Sequence, residues 1–200
     1  MYLIGERWFN GSLQAIFYNL GIIIWFASEL IIFTLTGKAD KKDRGSKTFD
    51  QLSVYAVMAE NILSCLLALA SVQYFQTNIS SAFAWVGIIV LYTGVFFRCY
   101  AVWTLKRFFT FTVKIKAGHK IIKEGPYAYL RHPTYTGSIL SLLGMQVGIK
   151  SLLGLLIVLI TVMLVYGFRI HIEERALIEN FGQEYETYQK ETKRIIPFIF

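Results

Sequence analysis

Charge is scarce in this chain. Asp, Glu, Lys and Arg make up 16% of its 200 residues, against 55% hydrophobic residues and a mean hydropathy of +0.49. A soluble domain carries about a quarter of its residues as charges, so this shortage excludes an ordinary water-soluble globule and points to the bilayer as solvent. Proline is almost absent too, with three residues, so long apolar runs stay unbroken. The two cysteines, Cys65 and Cys99, lie in apolar runs with no Cys or His at ligand spacing, which removes a cysteine-based metal site and leaves small buried packing residues. No glycine-rich strand-to-helix fingerprint, internal repeat or low-complexity tract occurs, so a Rossmann nucleotide site is not expected. Acidic residues are outnumbered 13 to 20, giving a net charge of +7. The basic residues cluster beside the apolar runs, so membrane topology and anionic lipids account for them and nucleic acid does not. What is plentiful is aromatic: 16 Phe, 12 Tyr and 4 Trp, suited to anchoring helices at the membrane interface.

Three apolar runs, roughly Ser12 to Thr36, Leu52 to Phe75 and Ser81 to Leu105, are each near the ~20 residues needed to cross the hydrocarbon core. Residues 1–11 lack the basic start and small-residue cleavage site of a signal peptide, so the first run reads as a retained span. Between the first two runs lies a loop carrying Lys38, Lys41, Lys42, Arg44 and Lys47, whereas the next loop, Gln76 to Ser80, has no charge. The positive-inside tendency places the first loop in the cytoplasm and the N-terminus outside. A second basic segment, Lys106 to Arg131, follows the third run. The apolar stretch from Tyr135 to Phe168 is interrupted at Gly148-Ile149-Lys150-Ser151, which predicts a helical hairpin whose first arm is short for a full crossing. The expected fold is therefore an all-α integral membrane protein with about five transmembrane helices. Its polar tail from Arg169 returns to the cytoplasm as a further helix.

Glu29, Glu60 and Arg98 interrupt the three spans, and ionisable groups at membrane depth are costly unless paired or functional. At a rise of about 1.5 Å per residue each lies ~11 Å inside its cytoplasmic end, so Arg98 is expected to neutralise at least one of the glutamates.

The segment from Gly118 to Gly137 is different in character. Pro126 and Pro133 each remove an amide donor, and the glycines, two histidines and three tyrosines around them preclude one continuous helix. Irregular backbone at the membrane boundary is tolerated where protein or a polar ligand satisfies it, so a polar-ligand site is expected here.

Gly125-Pro126-Tyr127, then Arg131-His132-Pro133-Thr134-Tyr135 and Gly137, resemble the signature of the isoprenylcysteine carboxyl methyltransferases and their phospholipid-methyltransferase relatives. Glu173-Glu174, Leu177, Phe181-Gly182, Glu184-Tyr185, Tyr188, Arg194 and Pro197 resemble that family's closing motif in order and spacing. Asp43-Arg44-Gly45-Ser46 looks like a feature of prokaryotic members. The resemblance covers about Lys114 to Phe198. It implies a division into residues 1–105, an N-terminal three-helix membrane region, and 106–200, a methyltransferase core within one continuous domain. It also implies S-adenosylmethionine as cofactor, S-adenosylhomocysteine as product, and no metal. The implied cofactor contacts are Lys114, where the family often has glutamine, His119, Lys120, Ile121, Ile122, Tyr127, His132, Pro133, Thr134, Tyr135 and Glu173. Arg169 matches an arginine that the family directs toward substrate, and Arg169 and Glu173 are the expected catalytic pair. Tyr129 and Tyr188 are expected to pack.

These residue types suit methyl transfer, which needs a nucleophile held beside a sulfonium methyl and water excluded. Arg169 would orient an acceptor carboxylate on a lipophilic substrate arriving from the bilayer, with Glu173 pairing the cofactor's ammonium or positioning Arg169. If the acceptor were a phospholipid amine, a base would be required, and Glu174 or His132 is the candidate. A non-catalytic lipid-binding protein on the same scaffold is the alternative of another class.

Overall fold

The computed structural model describes residues 12–42, 47–50, 52–74, 80–111, 113–115 and 120–196. The Asp43–Ser46 motif and His119 lie outside these. Among the described residues, six α-helices form the framework: α1 (Ser12–Lys42), α2 (Leu52–Tyr74), α3 (Ser81–Leu105), α4 (Pro133–Gly148), α5 (Leu152–Phe181) and α6 (Gln183–Glu191). In hydrocarbon, a helix satisfies nearly all its backbone polar groups internally, which is why uniformly apolar runs become helices. Among the described residues, four stretches, Leu13–Thr36, Leu52–Ser71, Ala82–Leu105 and Leu152–Phe181, are long and apolar enough to cross a membrane. Helix α4, with 16 residues, rises only about 24 Å and is the short arm of the expected hairpin. The large apolar side chains facing outward, such as Ile23, Phe96, Met163 and Leu164, are those a bilayer would solvate.

Helices α3 and α4 pack most closely. A Cβ placed at Gly94 would stand under 3 Å from the Ser141 backbone of α4, and one at Gly144 under 3 Å from the Leu91 backbone of α3. Small residues here let the two backbones approach, as membrane helices require when no hydrophobic force drives them together. Polar side chains fasten the other helices. The Tyr18 hydroxyl of α1 donates to the Met145 carbonyl at 3.1 Å, and Gln146 donates to the Ser64 carbonyl at 2.9 Å.

Helix α5 runs without a break from its apolar half through Arg169 and Glu173 to Phe181. The polar tail anticipated from Arg169 is thus the continuation of the last long helix, and both residues stand on a rigid element. The helix stops at Gly182, whose φ of 53° is left-handed and suits glycine, and whose amide bonds back to Ile178 at 2.8 Å. Helix α6 turns off from there.

A small antiparallel ribbon was not anticipated. Strand β1 (Lys47–Asp50) pairs with β2 (Val113–Ile115) in the register Lys47 to Ile115 and Thr48 to Lys114. It ties the loop after α1 to the segment after α3, so both basic segments lie at the same end of the bundle.

The charged residues in the spans are only partly clustered. Arg98 pairs with Glu29, donating from Nη2 to Glu29 Oε2 at 2.8 Å and also meeting the carboxylate through Nε. Its Nη1 donates to the Ser138 hydroxyl at 2.6 Å. Glu60 is served instead by the Thr161 hydroxyl of α5, at 2.9 Å. The pairing of Arg98 with one glutamate is as expected; Glu60 holds α2 to α5 by a hydrogen bond.

Candidate active site

A cavity of about 310 Å³ opens at the end of the bundle where the basic segments meet. Its polar centre is a chain of side chains on α4 and α5. Arg169, 5% exposed, donates from Nε to the Tyr135 hydroxyl at 2.8 Å and from Nη1 to the Ser53 hydroxyl of α2 at 2.6 Å. Its Nη2 donates to the Phe111 carbonyl. The Tyr135 hydroxyl in turn donates to Glu173 Oε2 at 2.5 Å. Tyr135 therefore bridges the two residues expected to do the chemistry, accepting from one and donating to the other. With its three acceptors drawn from separate parts of the chain, the planar guanidinium is fixed in orientation. The Glu173 side chain, 31% exposed, is open to the cavity.

Behind this centre lies His132. Its ring stacks on Tyr135, with centroids 5.4 Å apart and planes 7° apart, and its Nε2 lies 3.3 Å from Glu174 Oε1. Glu174 also accepts from Arg131 Nε at 2.7 Å and lies 3.1 Å from Arg194 Nη2. Arg131 reaches on to the carbonyls of Gln189, at 2.9 Å, and Thr192, at 2.5 Å. The segment after α6 is thereby bound to the Leu130–His132 turn, where the Arg131 amide also donates to the Lys193 carbonyl at 2.7 Å. The outer wall is aromatic. Burial pushes the Tyr127 and Tyr188 phenols up, so both keep their protons. The Tyr188 hydroxyl donates to the Tyr127 carbonyl at 2.7 Å.

Of the expected cofactor residues, Lys120, Ile121, Ile122, Tyr127, Thr134, Tyr135 and Glu173 line the cavity, as does Arg169. His132 and Pro133 are buried and absent from that lining; His132 supports Tyr135 and lies 3.7 Å from Glu173. Lys114 has its backbone in β2, while its side chain and His119 lie outside the described residues. The structure adds Arg131, Tyr185 and Tyr188 to the wall, and an apolar arm made by Phe26, Leu30 and Phe33 of α1 and by Val54, Val57 and Met58 of α2. Spacings of three and four put each set on one helical face, a signal visible in sequence but inseparable there from a lipid-facing stripe.

The groups present fit S-adenosylmethionine. An open carboxylate suits an ammonium, aromatic and branched walls suit a purine, and no dedicated nucleotide-binding domain is needed.

Helices long enough to span a bilayer, enclosing a polar site joined to an apolar arm, define an integral membrane protein. The chain belongs to the phospholipid methyltransferase family (PEMT), whose pattern it matches over residues 82–184. It is 28% identical to the protein-S-isoprenylcysteine O-methyltransferase of Saccharomyces cerevisiae over 91% of this chain and 80% of that protein. It is 27% identical to protein-S-isoprenylcysteine O-methyltransferase B of Arabidopsis thaliana over 90% of this chain and 91% of that protein. Among solved structures it resembles the eukaryotic intramembrane Ras methyltransferase, isoprenylcysteine carboxyl methyltransferase, with a TM-score of 0.60 and 26% identity. That match covers 72% of this chain and 52% of the other, so this chain spans about half the length of the solved relative.

Proposed function

We propose that this membrane methyltransferase transfers a methyl group from S-adenosylmethionine to the carboxylate of an isoprenylcysteine-like or other lipophilic acceptor, leaving S-adenosylhomocysteine. One observation carries the acceptor class. Phe26, Leu30, Phe33 and Met58 line the cavity and are 38–64% exposed, so this arm is open and not covered by other helices. An open apolar arm within the two apolar spans of α1 and α2 suits a sideways entrance for an apolar chain. The relatives named for isoprenylcysteine O-methylation support this choice.

When bound, the cofactor supplies an electrophilic methyl on a sulfonium. The chain's residues supply binding, orientation and exclusion of water. Glu173 offers its carboxylate to the cofactor's ammonium. Arg169, held by Tyr135, Ser53 and Phe111, would orient one oxygen of the acceptor carboxylate so that the other is presented to the methyl donor. A carboxylate is already ionised at neutral pH, so no base is needed. The apolar arm and aromatic wall keep water from the reacting atoms.

The two basic segments at one end of the bundle support a cytoplasmic active site, with the N-terminus outside and the C-terminus cytoplasmic. The test is transfer of labelled methyl by purified protein to a prenylcysteine analogue and, in parallel, to phosphatidylethanolamine vesicles. Label in the prenylcysteine ester is expected. Label only in the phospholipid amine would overturn the carboxylate reading, and label in neither would leave the lipid-binding alternative.

A further inference from the structure

We infer that the Tyr185 hydroxyl is a hydrogen-bonding contact for the nucleoside portion of the cofactor, an assignment that rests on the cofactor reading above. Tyr185 stands on α6, forms part of the cavity wall and is 2% exposed. Its hydroxyl is buried, and among the described residues it has no hydrogen-bond partner. A buried hydroxyl without a partner costs stability that a phenylalanine of the same shape would not. Its neighbour shows the contrast: the Tyr188 hydroxyl, one turn along α6, is bonded to the Tyr127 carbonyl. Burial, with Glu174 and Glu173 nearby, raises the Tyr185 phenol, so it keeps its proton and remains available to donate.

The position of Tyr185 identifies which part of the ligand it meets. Arg169, Glu173, Leu177 and Phe181 all line the cavity from α5 and follow one another at intervals of four, about 6 Å per step along one face. The wall changes along this row from a cation, to a carboxylate, to two apolar side chains. In S-adenosylmethionine the sulfonium joins an amino-acid arm to a nucleoside, so with the methyl directed toward Arg169 and the ammonium at Glu173, the flat nucleoside is left to the apolar wall of Leu177 and Phe181. Tyr185 stands beyond the turn at Gly182, on α6, and with Tyr127 and Tyr188 it completes an aromatic wall. At this end of the cavity the ligand portion is a purine nucleoside. Its ring nitrogens and ribose oxygens accept hydrogen bonds from a phenol.

The experiment compares wild type and Tyr185→Phe, both purified as the full chain in detergent. Binding of S-adenosylhomocysteine is measured by calorimetry, binding of 5′-methylthioadenosine by its displacement, and the Tm of each ligand-free protein by thermal unfolding. The variant is expected to bind both ligands about tenfold more weakly, as loss of one such bond predicts, with a ligand-free Tm equal to or above wild type. Equal affinities would overturn the proposal. So would weaker binding accompanied by a lower ligand-free Tm, which is the signature of a packing role. Weaker binding of S-adenosylhomocysteine alone would place the contact at the amino-acid end and overturn the nucleoside assignment. Failure of the wild type to bind S-adenosylhomocysteine would instead overturn the cofactor reading itself.

Discussion

Arg169 owes its position to three acceptors that are far apart in sequence: a hydroxyl on α4, a hydroxyl on α2 and a carbonyl from the segment after α3. Its place on the α5 ladder is one turn from Glu173, so substitution should separate the acceptor's chemistry from the cofactor's binding. Arg169→Ala is expected to lower turnover on the order of 10²-fold through loss of orientation, with little change in S-adenosylhomocysteine affinity by calorimetry. Arg169→Lys keeps the charge without the planar fork and should also be impaired. A loss of cofactor binding would reassign Arg169 to that pocket. At this scale the sequence made residue types legible but not their aim. Glu173, Tyr135 and Tyr127, which the motif resemblance names as cofactor contacts, line the cavity. His132 belongs to the same motif, yet its ring is turned to Tyr135 and Glu174. Tyr188 was expected only to pack, and it does pack through its hydroxyl, but its ring also forms wall. Nothing in a single sequence separates a tyrosine that packs from one that packs and faces a ligand.

Among the elements, the long helices were the most legible part. Runs read as Ser12 to Thr36, Leu52 to Phe75 and Ser81 to Leu105 correspond to α1, α2 and α3, because hydropathy over some twenty residues is a strong and local signal. The β1–β2 ribbon was illegible for the opposite reason. Its strands are three and four residues long and include Lys47 and Lys114, so composition marks them as basic loop. Equally hidden was the choice between the two glutamates available to Arg98. Depth along the helix can be counted, but rotation about its axis depends on packing. The Arg98–Glu29 pair fastens α1 to α3 inside the apolar bundle and leads to a specific expectation. Replacing Arg98 with leucine leaves a buried carboxylate unpaired and should cost about 3 kcal/mol. Replacing Glu29 with leucine as well should recover much of that loss, because no uncompensated charge remains. Thermal unfolding of the two variants in detergent measures the difference, and additive losses would refute the coupling.

For the whole molecule, the ribbon makes topology a matter of backbone pairing as well as of charge. With β1 bonded to β2, the end of the loop after α1 and the segment after α3 must emerge on the same side, while Ser80 begins the helix that returns from the other. In sealed vesicles of a chain lacking Cys65 and Cys99, an impermeant maleimide should therefore label Lys47→Cys and Lys190→Cys from one side and Ser80→Cys from the opposite side. Labelling of Lys47→Cys and Ser80→Cys from a common side would contradict this arrangement. The apolar arm between α1 and α2 has a further implication for rate. A molecule admitted from the lipid is encountered by diffusion in two dimensions, and its supply is counted per area of membrane. Adding inert lipid at a fixed amount of acceptor dilutes that supply while leaving the donor in water unchanged. On the proposed reading, the rate would thus follow the acceptor's density in the membrane, so that the same amount of acceptor spread over more lipid is methylated more slowly.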